Sequence, residues 1–350
     1  MTRRLVAVPP GGFRRIAVLR LSSLGDVVLT LPVVHALRRT YPGARIDYWV
    51  KEEYGDAVRF EPAIEHVRML DPDARRIEDL ISMSSELEPC DLIVDLHANP
   101  RSRLLTFRHS ALVLRAPAYR VLRERWVRAR WTRPAPAPHA LARYAEAVAP
   151  IGVNVDLIPV MAAGPEAVAW AATWLAGEAA PRGAASDPLV ALCPGARHAT
   201  KRWPEEHWIE LHRRLRVRGC RAVILTTRRE REALPLLERH SAEDHGTRWV
   251  CESIGRVAAL LSHCRTAITC DSGLMHMAAA RGLKVVALFG STSPELGFAP
   301  AGEGHSVLCR NEPCQPCTLH GQQRCPKGHF NCMRLLLPEQ VEAAAVTHWA

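Results

Sequence analysis

Short apolar runs alternate with longer amphipathic stretches along the chain. "RIAVLRL" at 15–21 is continuously apolar, as in a buried strand, residues 27–39 repeat with the period of a helix, and "ARIDYWV" at 44–50 predicts a second strand. This order predicts a βαβ unit and a parallel sheet. "CDLIVDL" at 90–96 predicts a further strand, which ends in Asp95.

The same alternation begins again after a stretch rich in Pro, Gly and Ser, "PRGAASDP", at 181–188. At 350 residues the chain also exceeds the size that one core usually reaches. We therefore expect an α/β protein of two Rossmann-like domains that face each other across a cleft. The predicted parts are an N-terminal domain at 13–160, a linker region at 161–187, a C-terminal domain at 188–337 and a Cys-rich tail at 309–332. A C-terminal helix at 338–350 that packs back on the N-terminal domain is compatible with this division.

Composition favours a globular protein of the cytoplasm. Hydrophobic residues make up 48% and charged residues 23% of the chain. The first residues have no apolar stretch of signal-peptide length, and no run of 18 apolar residues is free of charge. The glycine pattern of dinucleotide-binding proteins is absent after the first strand, which argues against NAD-dependent chemistry.

The net charge of +10 is concentrated in one stretch. Residues 101–133 contain ten arginines against the single Glu124. Guanidinium groups bind phosphate and carboxylate bidentately, so an anionic acceptor, a membrane surface or nucleic acid are candidate partners. A solvated basic surface is the alternative.

Asp26 follows Gly25 in "SSLGDV", in the first turn of the first predicted helix. The helix dipole favours a carboxylate there by about 0.3 to 1 kcal/mol, which by itself is enough to explain the residue. The same field keeps the carboxylate ionised, so Asp26 is also a candidate general base.

A strand, a loop and a helix meet in "TAITCDSGLMHMAAA", where Asp271 and Ser272 cap the turn. Gly273 lets a ligand approach the backbone, and a helix predicted to start near Leu274 offers unpaired amides to a phosphate. His276 adds a donor in the first turn. The alternative is a simple helix cap with a packed histidine.

The loop "PGARHATKRWP" follows the first strand of the second half, so it lies at the same edge of the sheet. Lys201 supplies a compact cation for a diphosphate and Thr200 a hydroxyl. A pair of solvated loop charges is the alternative for Lys201 and Arg202.

Five of the eleven cysteines lie between 309 and 332. Cys314 and Cys317 form a C-x-x-C knuckle, and Cys325 and Cys332 follow. Four thiolates close a tetrahedral site, which predicts a structural zinc, with reduced metal-free thiols as the alternative. The Asp-Pro-Asp at 71–73 favours a turn over a metal-holding pair.

Taken together, the motifs "RLSSLGDVVLTLPVVHALRRTYPGARIDYWV", "DLIVDLHANPRS", "PGARHATKRWPEEHW" and "CDSGLMHMAAARGLKVVALFGSTSP" resemble those of glycosyltransferase family nine, the ADP-heptose:lipopolysaccharide heptosyltransferases. The resemblance covers nearly the whole chain and implies a GT-B fold. It further implies inverting, metal-independent transfer of heptose from ADP-heptose to a lipopolysaccharide inner-core hydroxyl.

The resemblance also implies roles for individual residues. Asp26 corresponds to the base, and Lys201 to a phosphate contact. Asp271 contacts the sugar, and a glutamate after the strand "VILTT" holds the ribose, with Glu230 favoured over Glu232. The remaining donor-site residues are Thr200, Ser272, Gly273, Leu274 and His276. The predicted acceptor-site residues are Ser22, Ser23, Gly25, Asn99, Arg101 and Arg103.

Other functions remain open at this stage. A related GT-B transferase with another nucleotide sugar fits the same loops. A basic nucleic-acid-binding protein with a zinc knuckle is a remote alternative, and we expect no nucleic acid as partner. The expected partners are an ADP-sugar donor and an anionic glycolipid acceptor. The expected location is the cytoplasm, with peripheral binding at the inner membrane face as a further expectation.

Overall fold

The computed structural model of the protein describes residues 6–349, except 71–83, 86, 88, 108, 130–134, 178 and 185. The Asp-Pro-Asp at 71–73 therefore lies outside the described residues. The chain divides into two compact units. The first contains Met1–Ala118 and Pro138–Ala162, and the second contains Tyr119–Ala137 and Ala163–Ala350.

Strands and helices alternate in both units. Up to residue 162 they are β1 (Arg15–Leu19), α1 (Leu24–Thr40), β2 (Arg45–Lys51), β3 (His66–Leu70), β4 (Leu92–Asp95), α2 (Pro100–Leu105), β5 (Leu112–Arg115), α3 (Arg120–Arg128) and α4 (Ala140–Val148). After it they are α5 (Pro165–Ala176), β6 (Leu189–Cys193), α6 (Glu205–Val217), β7 (Arg221–Leu225), α7 (Arg228–Glu232), α8 (Pro235–Ser241), β8 (Thr247–Val250), α9 (Ile254–Leu261), β9 (Thr266–Cys270), α10 (Gly273–Ala280), β10 (Lys284–Phe289), β11 (Ser306–Cys309), α11 (Asn331–Arg334) and α12 (Pro338–Val346). Short 3-10 helices lie at Glu52–Ala57, Ala149–Ile151, Ala199–Lys201 and Pro294–Leu296.

Each unit is built on one parallel sheet. The first sheet has the order β3-β2-β1-β4-β5 and the second the order β11-β10-β9-β6-β7-β8. All the strand pairs in both sheets are parallel. The βαβ pattern predicted from the apolar runs is therefore confirmed in both halves of the chain.

The central strands are largely apolar, as expected where both faces of a parallel sheet are covered. In β1, the side chains from Ile16 to Leu19 have no exposed area. In the second unit Trp208 of α6 is also fully buried and packs edge-on against Trp203, with ring centroids 5.2 Å apart. Because buried strands consist mainly of apolar residues, their positions can be predicted from the sequence.

The C-terminal helix α12 packs on the second sheet. Val341 and Ala345 belong to the apolar core of the second unit, and Glu342 pairs with Arg214 of α6 and with Arg218, which directly follows that helix. The prediction that this helix packs back on the N-terminal domain is wrong. Its apolar face continues the core beside β9 and β10, and its acidic residue meets the basic face of α6.

The arginine-rich stretch is divided between the two units. Residues up to Ala118 belong to the first unit and those from Tyr119 to Ala137 to the second, so the predicted N-terminal domain boundary at 160 includes a segment of the other unit. Arg123 explains this assignment, since it is only 8% exposed and its guanidinium lies 5.1 Å from the centre of the Phe298 ring. The described arginines of this stretch are therefore shared between the two units.

The segment predicted as a linker contains α5. This helix packs on α9, with Ala171 fully buried and Arg256 placed over the Trp170 ring at 5.1 Å.

Among the helices of the described residues, none is long and apolar enough to cross a membrane.

The packing of α12 predicts the effect of a buried charge there. Val341→Asp should lower the free energy of unfolding by about 3 kcal/mol, because an unpaired carboxylate would enter the core. Denaturant unfolding followed by tryptophan fluorescence measures this loss. Ala343→Asp adds the same charge at an exposed position of the same helix and should leave stability within about 0.5 kcal/mol of wild type. Equal stability of the two variants would contradict the docking of α12.

Candidate functional site

The first candidate site lies where β1 passes into α1. The helix begins at Leu24, so Asp26 lies in its first turn. The backbone N–H and the hydroxyl of Ser23 donate to Oδ2 of Asp26, at 3.4 and 3.0 Å. The carboxylate therefore occupies the position that its sequence context predicts.

Two further side chains hold this carboxylate. Nη2 of Arg20 lies 2.8 Å from Oδ2 of Asp26, and Nη1 of Arg20 donates to the carbonyl of Leu96 at 2.6 Å. The phenol of Tyr144, on α4, donates to Oδ1 of Asp26 at 2.7 Å. A helix dipole alone needs none of these partners, so Asp26 is more than a favourable first-turn residue.

The charge of Asp26 follows from these contacts. Burial by itself raises the pKa of Asp26, but the Arg20 guanidinium and the hydrogen bonds from Tyr144 and Ser23 outweigh it. The pKa of this carboxyl is therefore held well below its ordinary value. Asp26 is an anion with 19% of its side chain exposed to solvent.

The end of the neighbouring strand β4 shapes the loop beside Asp26. Asp95 has no exposed area, and its Oδ1 accepts the backbone N–H groups of His97 and Ala98 at 3.1 and 2.8 Å. Its Oδ2 accepts the hydroxyl of Ser102 at 2.9 Å and lies 3.4 Å from Nε of Arg115. This buried carboxylate fixes the course of the loop after the strand.

His97 is neutral at physiological pH. Burial lowers the pKa of His97 to about 4, and the nearby charges of Arg20 and Arg101 act in the same direction against that of Asp26. The loop thus brings an uncharged imidazole into the electrostatic range of the carboxylate.

The predicted acceptor residues come from these two loops. Ser22, Ser23 and Gly25 lie in the turn that leads into α1. Asn99 is the N-cap of α2, and its side-chain oxygen accepts the N–H of Ser102 at 2.9 Å, so that oxygen serves the helix. Two arginines of α2 complete the set, the half-buried Arg101 and the exposed Arg103.

The second candidate site lies at the carboxyl edge of the second sheet. Asp271 directly follows β9 and is 6% exposed. Its Oδ2 lies 2.8 Å from Nζ of Lys201 and accepts the hydroxyl of Thr292 at 2.6 Å. The structure therefore brings together Lys201 and Asp271, which sequence reasoning assigned to one donor site from separate loops.

Helix α10 begins immediately after this carboxylate. Ser272 is its N-cap, and Gly273 rather than Leu274 is its first residue. Both Gly273 and Leu274 are half-buried, whereas His276 in the first turn is only 5% exposed. The amides at this helix start are positioned as the sequence predicts.

Thr200 is bound within the protein. It is 3% exposed, and its hydroxyl bonds to the hydroxyl of Ser291 at 2.8 Å and to the backbone N–H of Gln322 at 2.8 Å. The hydroxyl thus joins the loops after β6 and β10 to the Cys-rich segment, and its contact with a diphosphate stays a prediction.

Glu230 lies in α7, where it forms a capping box with Thr227. Its Oε2 accepts the backbone N–H and the hydroxyl of Thr227, at 2.9 and 3.0 Å. A Cβ at Gly195 would displace this carboxylate. Glu230 thus approaches the loop after β6, and its assignment to a ribose stays a prediction.

The predicted zinc ligands line one cavity of about 10 Å³ together with His329; they are Cys314, Cys317, Cys325 and Cys332. That volume holds about one water molecule. Sγ of Cys314 lies 3.7 Å from Nε2 of His329. Within the described residues, no three His, Cys, Asp or Glu side chains are grouped so that they hold a metal ion as they stand. The structural zinc therefore stays a prediction.

The sequence placed Asp95 at a strand end without assigning it to the site, and it missed three further residues. Arg20 had a signal, since it is a charged residue at the end of an apolar strand. His97 follows Asp95 in the same loop. Tyr144 had none, because 118 positions separate it from Asp26 and only the packing of α4 on α1 joins them.

The chain is similar to known proteins in sequence. Residues 86–327 match glycosyltransferase family 9 (heptosyltransferase). Lipopolysaccharide heptosyltransferase 1 of Pseudomonas aeruginosa is 27% identical over 323 residues, which cover 87% of this chain and 86% of the relative. Lipopolysaccharide heptosyltransferase 2 of Salmonella typhimurium is 35% identical over 120 residues, which cover 32% of this chain and only 33% of that relative.

A solved structure extends the likeness to the fold. The ADP-heptose lps heptosyltransferase II of E. coli superimposes with a TM-score of 0.70 at 19% identity, over 96% of this chain and 100% of that one. The two parallel α/β units are therefore those of a GT-B fold, as predicted. The family match covers more than half of this chain. The chain therefore belongs to glycosyltransferase family 9, the heptosyltransferase family.

Proposed function

We propose that the protein is an inverting glycosyltransferase that moves a heptose from ADP-heptose to a hydroxyl of a lipopolysaccharide inner-core acceptor. Membership of the heptosyltransferase family and the names of the relatives support the sugar and the acceptor class. The observation that carries the proposal is the carboxylate of Asp26, which is held as an anion and partly open to solvent.

In the proposed reaction Asp26 accepts the proton of the acceptor hydroxyl. The hydroxyl oxygen forms a bond to the anomeric carbon, and the bond from that carbon to the β-phosphate oxygen breaks on the opposite face. The electron pair leaves with ADP. General-base assistance of this kind is worth about 10² to 10⁴ in rate.

The low pKa of Asp26 affects the timing of this step. A carboxylate that is strongly stabilised as an anion is a weak base, so it does not remove a proton from a free sugar hydroxyl. The proton moves late, when the forming C–O bond has already made the hydroxyl acidic. In return Asp26 stays ionised across the physiological pH range.

In this proposal the second unit binds the nucleotide diphosphate. Lys201 and the first amides of α10 supply positive potential for the leaving phosphate, and Asp271 holds Lys201 at their side. In this proposal Glu230 takes the ribose hydroxyls, and Asp271 also faces the sugar. The reaction as proposed requires no metal ion.

The charges of the first unit indicate the chemical nature of the acceptor. Arg101 and Arg103 lie in α2, which follows β4 on the unit that carries Asp26. Arginines at this place favour a phosphorylated or acidic glycolipid. Cytoplasmic location and peripheral binding at the inner membrane face belong to the same proposal.

Substitutions in the two units should cause opposite defects, one in turnover and one in ADP binding. Asp26→Asn should retain binding of ADP and ADP-heptose while turnover falls by about 10² to 10⁴, because only proton acceptance is lost. Lys201→Ala should weaken ADP binding by about tenfold or more, because the phosphate loses a charge-assisted contact. Thermal shift with ADP, UDP and GDP, followed by turnover of ADP-heptose, measures both effects.

The controls carry the same chemical changes elsewhere. Asp47→Asn removes a carboxylate of β2 that pairs with Arg45, and Lys284→Ala removes a lysine of β10 that contacts the Glu303 carbonyl. Both should behave like wild type. A stronger shift with UDP or GDP than with ADP would replace the donor by another nucleotide sugar, and full turnover of Asp26→Asn would remove Asp26 from the reaction.

The acceptor assignment predicts a selective effect of two arginines. Arg101→Ala combined with Arg103→Ala should raise KM for the acceptor about tenfold or more and leave KM for ADP-heptose unchanged. Steady-state kinetics with each substrate varied in turn measures this. Arg39→Ala combined with Arg59→Ala removes the same charge from exposed positions of the first unit and is the matched control. Equal losses for both substrates would contradict the assignment.

The structural zinc is a separate proposal. Four thiolates would close the site, so the metal would stabilise the Cys-rich segment without taking part in catalysis. Metal analysis after anaerobic purification should find about one zinc per chain, and Cys314→Ser with Cys332→Ser should abolish it. Cys90→Ser with Cys251→Ser, outside the cavity, should retain it. A zinc-free wild-type protein would remove this proposal.

A further inference from the structure

The two oxygens of Asp26 have unequal surroundings. Oδ2 lies near three donor groups, Nη2 of Arg20 and the hydroxyl and N–H of Ser23, at 2.8, 3.0 and 3.4 Å. Among the described residues, Oδ1 has one donor, the phenol of Tyr144 at 2.7 Å. A carboxylate oxygen offers about two acceptor positions, so Oδ2 is saturated and Oδ1 keeps one position.

We propose that Tyr144 and Arg20 are positioning residues that aim the remaining lone pair of Asp26 Oδ1 at the acceptor hydroxyl. This inference rests on the proposed function, since it specifies which atom takes the proton. The proton of the acceptor O–H passes to Oδ1 as the oxygen bonds to the anomeric carbon and ADP departs with the electron pair.

Arg20 and Tyr144 are themselves fixed. The guanidinium of Arg20 bridges Asp26 and the carbonyl of Leu96 at the end of β4, and only 12% of its side chain is exposed. It also lies 5.4 Å from the centre of the Tyr144 ring. Tyr144 is 4% exposed on α4, which packs along α1. Each side chain therefore limits the movement of the others.

Two anchors at opposite oxygens prevent rotation of the carboxylate about its terminal bond. A free carboxylate turns readily about that bond, because such sp³–sp² torsions are broad. A reacting atom that is misplaced by about 1 Å costs up to about 100-fold in rate. The contacts that make Asp26 a weaker base thus also fix the orientation of its carboxylate.

Charged and titratable side chains from several elements surround Asp26. Arg20 and Tyr144 stabilise the anion directly, and Tyr48 of β2 is a buried neutral phenol bonded to Thr30 at 2.6 Å. The other charged or titratable groups within electrostatic range of Asp26 are Arg20, His97, Arg143 and Tyr144. Tyr48 keeps its proton, because burial raises its pKa, and so adds no charge beside Asp26.

The test is Tyr144→Phe, which removes one oxygen atom and keeps the ring. We expect kcat to fall about tenfold and KM for ADP-heptose to remain unchanged. Loss of a hydrogen bond to a charged group should raise the pKa of Asp26, so the acid limb of the kcat profile should move to higher pH by about one unit. A residue that only supported the fold would leave that limb in place.

Tyr48→Phe is the matched control. It removes an equally buried phenol oxygen from the same unit, and that oxygen bonds to Thr30 instead of Asp26. Its kcat and acid limb should match wild type. Arg20→Lys is the second variant, which keeps the charge but loses the fork between Asp26 and Leu96; its kcat should also fall about tenfold.

A ¹³C NMR titration of labelled aspartate carboxyls gives a readout that does not depend on turnover, with the Asp26 signal identified by its loss in Asp26→Asn. It should titrate below the ordinary aspartate range in wild type and move to higher pH in Tyr144→Phe. Wild-type protein without transfer activity would refute the proposed function. Wild-type activity together with identical kcat and acid limb in Tyr144→Phe and Tyr48→Phe would overturn only the positioning role, as would an unmoved Asp26 titration.

Discussion

Parallel pairing of the strands decides where chemistry takes place in both units. Because all strands of a sheet point the same way, every loop that follows a strand emerges at one edge, and the helices that begin there direct their unpaired amides towards it. In the first unit this constraint places the ends of β1 and β4 side by side. In the second it gathers the loops after β6, β9 and β10. Residues far apart in the chain become neighbours for this reason alone.

Buried or partly buried carboxylates lie at the carboxyl edges of both sheets. Asp95 is fully enclosed and is satisfied by backbone amides, a hydroxyl and a guanidinium, so it shapes a loop. Asp26 is enclosed less and keeps part of its surface open, so it remains available to a substrate. Asp271 holds Lys201 in place. The same chemical group thus supports structure or function according to how completely the protein satisfies its oxygens.

The Cys-rich segment is tied to the loop after β6 by hydrogen bonds. The hydroxyl of Thr200, in that loop, bonds to Ser291 and to Gln322 of the Cys-rich segment. Gly321 of that segment lies so close to His198 and Lys201 that a Cβ would displace them. The segment around the cysteines therefore supports the loop that carries Lys201, whether or not a metal is bound.

The sequence alone determined the two parallel α/β units, the resemblance to the family, and the candidate roles of Asp26, Lys201 and Asp271. Two local signals carried these predictions: apolar strands that are buried on both faces, and glycine or aspartate at helix starts. The folded structure agrees with both, because burial requires apolar side chains in the strands and helix geometry favours glycine and aspartate in the first turn. Only the tertiary structure decided the position of α12, the division of the arginine-rich stretch and the partners of Asp26. Those outcomes depend on contacts between distant segments, such as Tyr144 with Asp26 and Arg123 with Phe298, and no local pattern of residues encodes which segments will meet.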